Sequence, residues 1–141
     1  MLNGEDHVAT NTEQPLVLLV DDFDDSRELY AEYLGGCGFR VAEAMDGNQA
    51  LEMAFALSPD VIVMDLTLPG IDGWTAIRQL KSDQRTKAIP VLAMSGHSRD
   101  LHRRHDDPQN DRTMGWDLYL TKPCLPDDLL SHIKRLLFPR S

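Results

Sequence analysis

Five side chains could do chemistry together: Asp21, Asp22, Asp65, Ser95 and Lys122. They follow four short apolar runs, at 16–20, 61–64, 91–94 and 118–121. Singly they mean little. An Asp after a strand is most often a turn or helix-cap residue, and Lys122-Pro123 alone carries no message. Jointly they describe one place, because an open parallel sheet binds its ligands outside the carboxyl ends of its strands. Three carboxylates in one crevice repel one another unless a cation lies among them. Hard oxygen ligands of this kind suit Mg²⁺, which takes one or two carboxylates, keeps waters and shares a phosphate. Lys122 on the opposite side would balance charge and hold a phosphoryl oxygen, and the Ser95 hydroxyl would donate to another. The outline is phosphoryl transfer, carried by charge neutralisation and alignment, with a carboxylate as the nucleophile that becomes an acyl phosphate.

For these residues to meet, the apolar runs must be neighbouring strands. Runs of Leu, Val, Ile and Met without polar alternation read as strands buried on both faces, as in a parallel sheet. Between them lie helical patterns. Asp25 and Glu28 have capping-box spacing. Leu29, Tyr30, Tyr33 and Leu34 then recur at helical intervals, and Gly35-Gly36 stop the run. Residues 39–44 form a weaker strand with interleaved charges, expected at or near a sheet edge. Asp46-Gly47 turn into a helix carrying Ala50, Leu51, Ala54 and Phe55. A further helix follows Asp72-Gly73, with Trp74, Ile77 and Leu80. The last begins near Pro126, buries Leu129, Leu130, Ile133, Leu136 and Leu137, and stops at Pro139. Five alternations of strand and helix predict an α/β domain with a central parallel sheet.

Composition bounds the reading. The 141 residues suit one domain, expected over 15–138 and preceded by a polar tail at 1–14. No apolar run approaches the roughly 20 residues of a membrane span, and the polar, acidic N-terminus does not resemble a signal peptide. Cys37 and Cys124 make neither a disulfide framework nor a metal pattern, which fits reduced thiols in a cytoplasmic protein. Lys and Arg number 14 against 23 Asp and Glu, a net charge of −9 that argues against direct nucleic-acid binding.

The segments 18–22 with Arg27, 63–73, 90–96 and 119–123 make the chain resemble a response-regulator receiver domain of two-component signalling. Residues 39–44 with Asp46-Gly47 and Ala50 fit the same family, and the likeness covers 15–138. It implies a flavodoxin-like, doubly wound, five-stranded parallel sheet of order 2-1-3-4-5 with helices on both faces. It implies Asp65 as phosphoacceptor, Asp22 as a direct Mg²⁺ ligand, Asp21 as a ligand acting mainly through water, and the Thr67 backbone carbonyl completing the metal shell. It further implies Lys122 as the phosphate-contacting lysine before a cis-proline, Ser95 as the switch hydroxyl and Tyr119 as the aromatic that follows it inward. On periodicity alone Tyr119 reads as a half-buried strand aromatic. The implied donor is a histidine kinase or histidine phosphotransfer protein. The implied output is an unidentified protein partner, because no output domain follows the last helix, so a stand-alone receiver is expected.

The chain departs from the family over 97–115, where Arg99, Arg103, Arg104, His102 and His105 replace the usual amphipathic helix. This stretch reads either as a solvated insertion or as a docking surface for an acidic partner. His97 and Thr67 occupy positions that in the family tune loss of the phosphoryl group. Two other readings stay open: a degenerate receiver acting as a constitutive binding module, and a small Asp-nucleophile phosphatase of the haloacid dehalogenase type.

Overall fold

The computed structural model describes residues 14–66, 73–96 and 115–139. Five parallel strands, β1 (Leu16–Val20), β2 (Arg40–Ala44), β3 (Val61–Asp65), β4 (Val91–Ser95) and β5 (Leu118–Thr121), form one sheet of order β2-β1-β3-β4-β5. Four described helices connect or flank them: α1 (Asp24–Gly36), α2 (Gly47–Leu57), α3 (Gly73–Ser82) and α4 (Pro126–Leu137). The flavodoxin-like order and the β2 edge are those expected.

The bare apolar runs follow from burial on both faces. Side chains alternate across a strand. Val17, Leu19, Val61, Val63, Leu92 and Met94 therefore pack one way, against Tyr30 and Leu34 of α1 and Leu129 and Ile133 of α4. Leu18, Val20, Ile62, Met64, Val91 and Ala93 pack the other way, against Ala50, Leu51 and Ala54 of α2 and Trp74, Ile77 and Leu80 of α3. Removing a Leu or Ile of this kind from water contributes about 2 kcal/mol. Both layers converge on β1, β3 and β4, so the strand ends that carry Asp21, Asp65 and Ser95 are the most firmly held.

Several local expectations are corrected. α1 has Phe23 as its N-cap and no side-chain cap, because Asp21 Oδ1 instead accepts from the Phe23 N–H at 2.9 Å. The reciprocal cap lies on α2: Asp46 accepts from the Gln49 N–H at 2.7 Å and the Gln49 side chain from the Met45 N–H at 2.8 Å. Leu29 is 56% exposed, since Arg27, Tyr30 and Leu34 form the buried face of α1. Gly35 and Gly36 do not stop α1, which runs through them to a Cys37 cap; Gly38, at φ +98°, makes the left-handed turn. The last helix sinks Leu129 and Ile133 fully, while Leu130, Leu136 and Leu137 are only partly buried at its margins.

Candidate functional site

Parallel strands deliver Asp21 after β1, Asp65 at the end of β3, Ser95 at the end of β4 and Lys122 after β5 to one edge of the sheet. The Lys122 ammonium bridges two of the carboxylates, 3.2 Å from Asp21 Oδ2 and 3.3 Å from Asp65 Oδ2. Both carboxylates are nearly buried, at 3% and 4% exposed, whereas Asp22 faces solvent. One oxygen from each of Asp21, Asp22 and Asp65 lies within 4.8 Å of the others. Burial alone would lower the pKa of Lys122; the carboxylates of Asp65 and Asp21 outweigh it and raise it, so the ammonium stays charged.

α1 holds the first carboxylate in place. Both Asp21 oxygens accept from α1 and its approach, Oδ1 from the Phe23 N–H and Oδ2 from the Ser26 hydroxyl at 2.8 Å. Arg27 is buried and reaches three ways: to the Asp21 carbonyl at 2.9 Å, to Glu43 of β2 at 3.0 Å and to Asp24 at 2.8 Å. Desolvation opposes its charge, and the Glu43 and Asp24 hydrogen bonds overcome it. Asp22 is left outermost and makes no hydrogen bond or ion pair among the described residues. The donor set therefore fits a small oxygen-loving cation, with Asp22 the carboxylate that has no other partner among the described residues.

Ser95 is fully buried, and its carbonyl accepts from the Lys122 N–H at 2.8 Å. The Lys122–Pro123 peptide is cis. Tyr119, half-buried on β5, lies against the α2–α3 layer with its ring 5.4 Å from Trp116, which in turn meets Trp74 edge-on at 5.3 Å. The buried Tyr119 hydroxyl has no hydrogen-bond partner among the described residues. Gly73 opens α3 directly over the end of β3: a Cβ there would overlap the Asp65 carbonyl oxygen and lie 2.7 Å from the Leu66 Cα.

The sequence reading brought together Asp21, Asp22, Asp65, Ser95 and Lys122, and the structure places them together. Thr67, His97, the cationic cluster of 99–105 and the tail over 1–13 lie outside the described residues. Sequence reasoning missed the working parts of Ser26, Arg27, Glu43 and Tyr30. Arg27 carried a legible signal, since it sits at i, i+3 and i+7 with Tyr30 and Leu34 on a face that is otherwise apolar.

An open, doubly wound α/β sheet with an acidic, lysine-bridged pocket at its strand ends defines a class of domains that gather their polar groups where such sheets bind ligands. Residues 17–134 match the response regulator receiver domain, and the chain belongs to that family, a module of two-component signalling. It is 35% identical over 125 residues to the DNA-binding dual master transcriptional regulator RpaA of Synechocystis, covering 87% of this chain and 49% of RpaA. It is 32% identical over 121 residues to protein PilH of Pseudomonas aeruginosa, covering 86% of this chain and 96% of PilH. The chain thus spans about half of RpaA and nearly all of PilH. Among solved structures it is similar to the receiver domain of sensor histidine kinase PA1611 from P. aeruginosa PAO1, which holds a magnesium ion in its active site cleft. The TM-score is 0.77 at 27% identity, covering 88% of this chain and 98% of that one. Family membership favours a receiver over a phosphatase of the haloacid dehalogenase type. No described helix is long and apolar enough to cross a membrane.

Proposed function

We propose that this receiver accepts a phosphoryl group on Asp65 from a phosphohistidine of a histidine kinase or histidine phosphotransfer protein. It acts in the cytoplasm and passes the signal to a protein partner. The observation that carries the reading is the Lys122 ammonium shared between Asp21 and Asp65, with exposed Asp22 beside them. As the family resemblance implies, Asp22 and Asp65 would hold Mg²⁺, with Asp21 acting through water and Thr67 through its carbonyl, and the ion would supply charge neutralisation to the incoming phosphoryl oxygens. A carboxylate oxygen of Asp65 attacks phosphorus. The P–N bond to the donor imidazole breaks, its electron pair stays with the imidazole, and an acyl phosphate remains on Asp65. Lys122 exchanges its carboxylate contact for a phosphoryl oxygen, which favours the transferred charge. The Ser95 hydroxyl donates to another oxygen, and Tyr119 follows into the space behind it, so that a local charge becomes a change of surface.

Incubating the protein with Mg²⁺ and acetyl phosphate should add the mass of one phosphoryl group to the parent and none to Asp65→Asn. An equal gain in the variant, or none in the parent, overturns the reading. The second result leaves a constitutive binding module.

A further inference from the structure

Lys122 has to present its ammonium to one spot from the end of a four-carbon stem, so the root of that stem must be fixed. On one side its own N–H is bonded to the Ser95 carbonyl of β4 at 2.8 Å. On the other side comes Pro123, which has no N–H to give. The next fixed point is the Cys124 carbonyl, which accepts a 2.6 Å hydrogen bond from the Tyr30 hydroxyl.

Tyr30 belongs to α1 and is 7% exposed, with its ring in the core beside Leu34, Leu129 and Ile133. A core position on this helix face asks only for apolar bulk, which Leu or Phe would supply. The hydroxyl is the surplus, and a buried tyrosine O–H needs a partner. Here the partner is backbone two residues beyond Lys122. The same helix carries Ser26 and Arg27, which hold the Asp21 side chain and carbonyl. Tyr30 also lines, with Phe23, Ser26, Gly96, Lys122 and Pro123, the open groove beside the site. One rigid helix therefore sets both ends of the Asp21–Lys122 pair.

We infer that Tyr30 is a positioning residue for phosphoryl transfer, acting through its hydrogen bond to the Cys124 carbonyl to fix where Lys122 meets the phosphoryl group. This rests on the reading of Asp65 as phosphoacceptor. Burial pushes the Tyr30 phenol above its usual range, so it remains a donor wherever the site works. A group that moves by a fraction of an ångström loses much of its value to a transition state it must touch.

The test is the rate of Asp65 phosphorylation by acetyl phosphate in saturating Mg²⁺, as a function of donor concentration. Tyr30→Phe keeps the ring and removes only the hydroxyl. Thr86→Val is the control, because it deletes another buried hydrogen bond, from Thr86 Oγ1 to the Leu80 carbonyl, away from the strand-end site. Urea unfolding of each variant gives its stability loss. Tyr30→Phe is expected to lower the maximal rate about tenfold, at the low end of what supporting groups of a reactive site command. The half-saturating donor concentration should stay within twofold, and Thr86→Val should keep the parental rate at a similar stability loss. A parental rate in Tyr30→Phe overturns the inference, as does an equal slowing in Thr86→Val, which would make the effect one of stability. If the parent itself takes no label, the reading of Asp65 falls and this inference with it; a labelled parent with an indifferent Tyr30→Phe sinks the inference alone.

Discussion

Asp21 and Asp22 are neighbours in sequence with opposite circumstances. Asp21 is buried with both oxygens engaged; Asp22 is exposed and unpaired among the described residues. A run of two acids thus divides into one residue that shapes the site and one that can still take a ligand. Tyr119 presents the reverse case, a polar atom without work in this state. Burying a hydroxyl without a partner costs about 1–3 kcal/mol in proteins. Tyr119→Phe removes that cost and little else, because the ring still packs on Trp116. The variant should be more stable by about 1 kcal/mol, read as a higher urea midpoint at unchanged slope. A loss of stability would mean the hydroxyl is satisfied in the folded protein.

At the scale of elements, α3 begins where a side chain cannot fit. Its first residue, Gly73, lets the helix lie directly on the Asp65–Leu66 backbone. Nothing flexible lines that contact, so Gly73→Ala must push α3 off β3. It should cost about 2–3 kcal/mol in urea denaturation, at the upper end of overpacked cores, and slow labelling of Asp65 as well. The sequence marked Asp72-Gly73 only as the approach to a helix, because a close approach between distant segments leaves no local pattern. The strands were legible for the opposite reason: burial on both faces writes itself as an unbroken apolar run, as in 61–64. Caps were less so. Asp25 and Glu28 have the right spacing, yet Asp21 already holds the entry to α1, and the true reciprocal cap at Asp46 and Gln49 looks like an ordinary turn. The strand-end acids and Lys122 could be read because each follows its strand directly. The role of Tyr30 could not be, since a helix face that looks like core gives no sign of which backbone its polar tip will reach.

For the whole molecule, the net charge of −9 matters most where it is concentrated. Without metal, three carboxylates at the site face one ammonium. Two like charges within 4.8 Å repel by about 1 kcal/mol even in a water-like dielectric, so the site is held at some expense of stability. Asp22→Asn removes one charge without disturbing the Asp21 and Arg27 bonds. In chelator it should therefore be more stable than the parent by about 1 kcal/mol, roughly 3–5 °C in melting temperature for a domain of this size. Mg²⁺ should reverse the order. At ten times its dissociation constant a ligand that binds only the folded state adds about 1.4 kcal/mol, which the parent gains and Asp22→Asn largely forgoes. Thermal melts of both proteins, in chelator and in MgCl₂ against NaCl of equal ionic strength, should cross. Parallel shifts in the two proteins would reduce the acidic cluster to screened surface charge. A crossing would identify the repulsion among Asp21, Asp22 and Asp65 as what draws the cation in.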